Sequence, residues 1–360
     1  MKSPATLVIA GKPLPPERRA GQLELFLADF QQATGIENTN TIELFDALPL
    51  YQHQAATMPT DAPRVETIHF RKQIITASVR PAGIVQHGKM RYTFAGSRER
   101  LVESILRKMV SEPGIHVVFE DDASRGAKVP VLYTTISAIR KRMREIGHEF
   151  KISEIRDALS ILAGSHFSFS GFVNGEEYAI EMESAIIGRS YTAPRDDPDG
   201  RRSLERITFN PLLLKSIEQQ TYRQIDWKRL SSLKRPGAIW LYQRITHHFT
   251  GVDRGGGPMS HPYHIDLTTI LSSSGMRRYQ AIKDNVRQVR LDLSEMSERG
   301  ILDSMRPYVE KLRRDRDPGK SRGPLRIVGA VWDLYLSSAT AEEIIRSNVK
   351  SKKLKSPASG

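Results

Sequence analysis

The chain has 360 residues, with 54 Lys and Arg against 41 Asp and Glu, and no cysteine. That length can bury two cores of ordinary size, the missing cysteine excludes disulfide frameworks and cysteine-based zinc sites, and no run of about 18 apolar residues is present to cross a bilayer. The surplus charge is uneven: Ile207 to Gly360 holds 27 basic and 15 acidic residues, whereas the first 206 residues hold 27 and 26.

A basic module on a near-neutral body suits a polyanionic partner, because neutralising phosphates supplies much of the affinity for nucleic acid. Met1 to Ala10 holds too few apolar residues for a secretory signal. The expectation is a soluble, cytoplasmic protein of bacterial type that binds nucleic acid and not membrane.

Residues 1–60 are rich in Pro, Thr and Gln, with one helix-like stretch near Leu23 to Ala33, and are expected to form a flexible N-terminal arm. Alternation predicts strands over Val65 to Val79 and Met90 to Phe94. A helix follows from Ser97 as N-cap through Leu101, Ile105 and Met109, then a short buried strand over Ile115 to Phe119. Two helices are predicted over Tyr133 to Gly147 and Ser153 to Ala163, and Phe167 to Met182 reads as a hairpin turning at Asn174-Gly175. These make a first winged-helix-like domain over 61–187. The Pro-, Gly- and Asp-bearing stretch 188–203 reads as a linker.

A second domain is assigned to 204–338. Phe209-Asn210-Pro211 leads into an apolar strand or helix, and Pro236 opens a helix whose Trp240, Leu241 and Ile245 face a core. Helix, turn and helix are predicted over Asp266 to Ser273, Ser274-Gly275 and Met276 to Ser297. In the last of these, Tyr279, Ile282, Val286, Val289 and Leu293 form one apolar stripe, and Gln280, Lys283, Arg287 and Arg290 occupy the opposite face. Such a face presents long donors to base edges in the major groove. A hairpin follows, from Met305, Tyr308 and Leu312 through Asp317-Pro318-Gly319-Lys320 to Leu325, Ile327, Val328 and beyond. Its basic residues, Arg313, Arg314, Arg316, Lys320 and Arg322 among them, mark it as a phosphate-gripping wing. Residues 339–360 are expected to be a basic C-terminal tail. The predicted fold class is α+β, two winged-helix domains in tandem with the arm.

Enzymatic signals are weak. Gly255-Gly256-Gly257 lacks the Lys and Ser/Thr of a phosphate loop, and His247 and His248 are adjacent, not alternating as two ligands of one metal require. His261, His264 and Asp266 read as surface residues more readily than as a metal cluster. No nucleophile has a base at interpretable spacing. The expectation is no enzyme, no catalytic residue, no metal and no cofactor.

Gln22-Leu23-Glu24-Leu25-Phe26 resembles the pentapeptide by which bacterial replication proteins dock on the sliding clamp, with Glu24 departing from the usual residue. The resemblance assigns Gln22, Leu23, Leu25 and Phe26 to a clamp pocket; the other reading makes them the buried side of an amphipathic helix ending in Phe30. Asn40 to Pro49, Ser97 to Lys108, the two helix-helix-hairpin modules and Trp332 to Ser337 are together similar to bacterial plasmid replication initiators of the tandem winged-helix type, over roughly 40–337. The resemblance implies binding to repeated origin sequences, melting of adjacent duplex and recruitment of the host replicative helicase, without a covalent step, and a homodimer is compatible with it. It supports Arg277, Arg278, Lys283, Arg287 and Arg290 as DNA-reading positions. In the first domain, Arg140, Lys141, Arg142, Arg144 and Arg156 are assigned to DNA or dimer contacts, beside a mixed face of Glu154, Asp157 and Ser160. A winged-helix transcriptional repressor shares the DNA-reading residues without needing a clamp peptide, and a metal-dependent nickase or primase is the rival from another class.

Overall fold

A computed structural model describes residues 38–52, 61–70, 73–86, 88–112, 117–122, 127–173, 176–178, 184–192, 203–218, 222–249, 262–315 and 325–355. Helices and antiparallel strands mix throughout, an α+β chain, and the described residues fall into two units, one within 56–221 and one formed by 37–55 with 222–360. The chain opens with β1 (Asn38–Thr41) and the one-turn helix α1 (Glu43–Ala47), both part of the second unit.

The first unit begins with β2 (Arg64–Phe70), β3 (Gln73–Arg80), β4 (Ala82–Gln86) and β5 (Lys89–Thr93). Helix α2 (Ser97–Val110) follows, its cap being Gly96 and not the expected Ser97, because Glu99 reaches back to accept the Gly96 N–H at 2.8 Å. Next come β6 (Val117–Asp122) and β7 (Ala127–Thr135). The part of the predicted strand near Phe119 exists, although Val118 is exposed. Helix α3 (Ile136–Glu145) starts three residues later than expected: Tyr133 to Thr135 finish β7, and the Thr135 hydroxyl caps the helix by accepting the Ala138 N–H at 3.1 Å. Gly147, at φ 78°, makes the tight connection into α4 (Ile152–Gly164).

The remaining strands are β8 (His166–Val173), β9 (Glu176–Tyr178), β10 (Ser184–Ala185), β11 (Ile187–Thr192) and β12 (Leu204–Phe209), followed by helix α5 (Pro211–Glu218). β8 and β9 form the predicted hairpin and join a sheet of order β10–β8–β3–β2. A second sheet runs β11–β12–β7–β6. Helix α2, strand β7, helices α3 and α4, and a closing hairpin β11–β12 that pairs through β12 with β7 constitute a winged-helix arrangement. The expected linker is therefore corrected. Gly188 to Thr192 are strand, and Leu204 to Phe209 close the first unit instead of opening the second. Residues 193–202, which carry the Pro, Gly and Asp signals, lie outside the described residues.

The second unit contains β13 (Arg223–Asp226), α6 (Trp227–Ser232), α7 (Pro236–His248), β14 (Tyr263–Asp266), α8 (Leu267–Ser273), α9 (Ile282–Glu298), β15 (Tyr308–Asp315), β16 (Arg326–Leu334) and α10 (Ser338–Lys355). Pro236 stands in the first turn of α7, where its missing N–H costs nothing. The sheet order β14–β16–β15 with α7, α8 and α9 is again helix, strand, helix, helix, hairpin. Trp240, Trp332, Ile270, Val289, Leu293 and Ile344 are buried in one core.

Two expectations about chain ends change here. The expected arm is ordered over 38–52: β1 pairs antiparallel with β13, Thr39 opposite Ile225, and Ile42, Phe45, Leu48 and Leu50 are buried. The expected tail is mostly helix α10, with Ala341 and Ile344 inside; Ser347 accepts the Gln224 N–H at 2.9 Å and Glu343 accepts the Asp226 N–H at 2.7 Å. Both missed segments alternate or repeat apolar residues only briefly, and each is stabilised by a partner far away in sequence.

Candidate nucleic-acid interface

Asp266 caps α8 by accepting the Thr269 N–H at 2.8 Å, and Gly275, at φ 69°, breaks the chain after it. The expected helix from Met276 does not begin there. Residues 276–281 form a turn, and α9 starts at Ile282. The cause is Asn285, which is buried and competes for the backbone: its Oδ1 accepts the Tyr279 N–H at 2.8 Å and its Nδ2 donates to the Tyr279 carbonyl at 2.7 Å. Arg277, Arg278 and Gln280 thus ride on a pinned turn and are exposed. The Arg277 guanidinium lies 4.9 Å from the centroid of the Tyr279 ring, and Arg278 Nε donates to the Leu271 carbonyl at 3.3 Å.

The inner face of α9 carries Val286, Val289, Leu293 and Met296, all buried. Asp292 is also buried there, accepting from Arg235 Nε at 2.6 Å. Gly237 makes room for it, since a Cβ at 237 would sit 2.1 Å from Asp292 Oδ2. Burial raises the Asp292 carboxyl to about 6, against the opposing pull of Arg235. One turn on, Glu295 accepts the N–H groups of Lys234 and Arg235 at 2.8 and 2.9 Å, placing a second carboxylate at the positive end of α7.

The outer face divides into two kinds of cation. Lys283 and Arg287 are exposed, one turn apart, and have no partner among the described residues. Arg290 instead donates through Nε to Glu310 of β15 at 3.0 and 3.2 Å. Glu310 in turn accepts from Trp332 Nε1 at 3.0 Å, its cross-strand neighbour on β16. Arg290 is therefore a clasp between helix and wing, which corrects its assignment to base reading as a free donor.

On the wing, Arg313 and Arg314 are exposed and straddle a bulge at which Val328 of β16 is the extra residue. Lys311 Nζ donates to Asp333 at 2.7 Å, and His264 Nδ1 stands 2.5 Å from the same carboxylate. Burial pushes the Asp333 carboxyl up, but these two hydrogen bonds and the charges behind them leave it lowered. Arg316, Lys320 and Arg322 lie outside the described residues, as do Gln22, Leu23, Leu25 and Phe26, His261 and the 255–257 glycines.

Arg142 and Arg144 of the first unit are paired locally. Arg142 meets Glu112 at 2.6 Å and Glu145 at 3.0 Å, and Arg144 meets Glu149 at 3.0 Å. Arg140 has its Nε buried without a partner among the described residues, and Lys141 and Arg144 are exposed. On α4, Arg189 from β11 covers the helix, donating to Ser160 Oγ at 2.7 Å and to the Arg156 carbonyl at 3.4 Å while pairing with buried Glu205 at 2.8 Å. The geometry thus brings Lys283, Arg287 and the wing arginines into one unit and does not assemble a free cationic face from Arg140, Arg142, Arg144 and Arg156. Glu310 and Asn285 were missed at the sequence level. An acid in the apolar alternation of Tyr308 and Leu312 was the available signal for the first; the second had none.

No group of three or more His, Cys, Asp and Glu positioned to hold a metal exists among the described residues, and no helix among them is long and apolar enough to cross a membrane. No family model matches the chain, and no curated protein does. Two crystal structures of domains 2 and 3 of RctB are similar in shape. One has 9% sequence identity and a TM-score of 0.47, covering 81% of this chain and 97% of that one. The other has 9% identity and a TM-score of 0.43, covering 85% and 99%. At that level of likeness the activity of RctB does not transfer to this chain.

Proposed function

We propose that the chain is a sequence-specific DNA-binding replication initiator of plasmid type, reading duplex DNA with α9 and steadying it with the β15–β16 wing. The observation that carries this reading is the pair Lys283 and Arg287, exposed and without a partner among the described residues, on the outer face of a helix whose other face is anchored in the core. Buried Asp292 and half-buried Glu295 fix the helix from behind, and a long donor on a rigid helix is what bidentate contact to guanine O6 and N7 requires. The pinned turn adds Arg277, Arg278 and Gln280 beside its first residues. The wing arginines then neutralise phosphate, a contact that positions without specifying.

The initiator reading, as opposed to a repressor, draws on the resemblance of the motifs from Asn40 to Ser337 and of Gln22 to Phe26 to the clamp-docking pentapeptide. Under it the protein acts in the cytoplasm, binds repeated origin sequences as monomer or homodimer, promotes melting, and engages the host helicase and sliding clamp without catalysing a covalent step or using a cofactor. Footprinting on the DNA flanking its own gene tests this. Tandem direct repeats support an initiator, a single palindrome supports the repressor, and no protected site at all removes sequence-specific binding.

A further inference from the structure

The turn between α8 and α9 is clamped at both ends. Met276 enters the core of the second unit, packed so closely on Gly237 of α7 that a Cβ there would lie 2.7 Å from its Sδ. At the other end Asn285, 3% exposed, directs its amide at the turn. Its Oδ1 and Nδ2 hold both backbone groups of Tyr279, and Nδ2 also reaches the Ala281 carbonyl at 3.4 Å. A buried amide needs such partners, and in supplying them the backbone at 279 is fixed in one position.

Those hydrogen bonds go to backbone atoms, which leaves the Tyr279 side chain for another task. Its ring lies under Arg277, whose guanidinium stands 4.9 Å from the centroid. A ring steadies a cation without neutralising it, unlike the carboxylate of Glu310 that holds Arg290. Arg277 is exposed and its N–H groups have no partner among the described residues; residues 267–283 contain three Lys and Arg and no Asp or Glu. Arg278, next along the chain, differs, because its Nε donates to the Leu271 carbonyl at 3.3 Å.

Fixed direction matters more to one kind of DNA contact than to another. A phosphate accepts a cation from many angles, whereas bidentate bonding to guanine O6 and N7 needs the donor fork held within about 0.5 Å and 10–20° of the productive pose. We propose that Tyr279 and Asn285 are positioning residues that make Arg277, and not Arg278, a guanine reader, at a base position separate from the one read through Arg287 of α9. This role rests on the proposed DNA binding by the second unit and names what the turn beside α9 recognises.

Selection from a randomised duplex library by the full chain, with the bound fraction sequenced, reads the preference at every base position for the wild type and each variant. Arg277→Ala is expected to lose a guanine preference of roughly five- to hundredfold at one position, the scale of one bidentate pair, and to keep the preference that Arg287→Ala loses. Arg277→Lys is expected not to restore it, because an ammonium lacks the fork. Tyr279→Leu leaves the backbone clamp in place and is expected to weaken the same guanine preference about two- to fivefold, the scale of an exposed cation–π contact, while Tyr279→Phe keeps it. Asn285→Ala is expected to act at that position too, and Tyr279→Leu tests the positioning even where Asn285→Ala fails to fold. Equal losses by Arg277→Ala on selected and random duplexes make Arg277 a phosphate contact and overturn the guanine role. An unchanged motif in Tyr279→Leu overturns the positioning. A wild type that selects no motif removes sequence-specific binding itself, whereas a motif that survives Arg277→Ala intact overturns this role alone.

Discussion

At the scale of single residues, neighbouring cations on α9 have different work. Arg287 faces solvent and Arg290 is held by Glu310, whose other bond satisfies the indole N–H of buried Trp332. Replacing Arg287 with Ala is expected to cost about 1–3 kcal/mol of binding to the preferred site and to relax preference at one base position. Glu310→Gln is expected to act on the fold, weakening the clasp and lowering stability by roughly 1–2 kcal/mol in urea unfolding. Equal losses on specific and random duplexes for Arg287→Ala would contradict base reading.

Two ionisable side chains of the second unit, buried Asp292 and half-buried His247, set opposite pH dependences. Asp292, about 6 in the fold against an ordinary 3.8, keeps a proton that the unfolded chain has lost, so its contribution favours the fold at low pH and disappears as pH rises through 6. His247, lowered from 6.5 to about 4 mainly by burial, stays neutral while the unfolded chain takes up a proton; its contribution is present above 6.5 and is lost as pH falls toward 4. Between pH 4 and 6 the two oppose each other. Removing one uncovers the other: relative to wild type, Asp292→Asn is expected to lose about 2–3 kcal/mol more on acidification from pH 6.5 to 4. Tryptophan fluorescence in urea measures this cleanly, because Trp227, Trp240 and Trp332 all belong to the second unit. A pH-independent difference between the two proteins would show that Asp292 titrates normally.

At the scale of elements, β1 and α1 are part of the second unit although about 170 residues of chain separate them from β13. Ile42, Phe45, Leu48 and Leu50 are buried there, His247 Nε2 stands 3.2 Å from Thr41 Oγ1, and Asp46 caps the strap by accepting the Ile42 N–H at 2.7 Å. Four such side chains bury roughly 6–12 kcal/mol of gross hydrophobic stabilisation, an upper bound that still matches the net stability of a whole domain. A fragment of residues 222–360 is therefore expected to unfold at much lower urea than the same fragment with a peptide of residues 37–55 added. Indistinguishable midpoints at saturating peptide would show the strap to be dispensable. This element also shows where sequence reading fails. The amphipathic period of α9 and the β15–β16 alternation are local signals and were legible; the cap of α2, the strap, the β11–β12 wing and α10 depend on contacts that local pattern does not show, and a Pro- and Asp-rich stretch between two strands reads the same as a linker. The exposure of Lys283, Arg287, Arg313 and Arg314 was legible from pattern, whereas the clasp on Arg290 depends on a cross-strand neighbour that sequence spacing does not reveal.

At the scale of the whole molecule, the +13 net charge predicts salt-sensitive binding, but only cations left free in the fold release counterions from DNA. The two basic clusters differ in this respect. Arg313 and Arg314 are exposed on the wing, while Arg142 and Arg144 each face a glutamate within 3.0 Å. A cation already paired with a carboxylate must break that pair to meet phosphate, and the carboxylate left behind repels the same phosphate. The double variant Arg313→Ala, Arg314→Ala is accordingly expected to reduce the slope of log K against log salt by up to about 1.8, near 0.9 per phosphate contact, on any duplex sequence. The double variant Arg142→Ala, Arg144→Ala is expected to leave that slope unchanged. Affinity measured across a salt series on one random duplex decides it: equal reductions would mean that the first unit opens its ion pairs to reach DNA, and no reduction in either would mean that the exposed wing arginines face solvent in the complex.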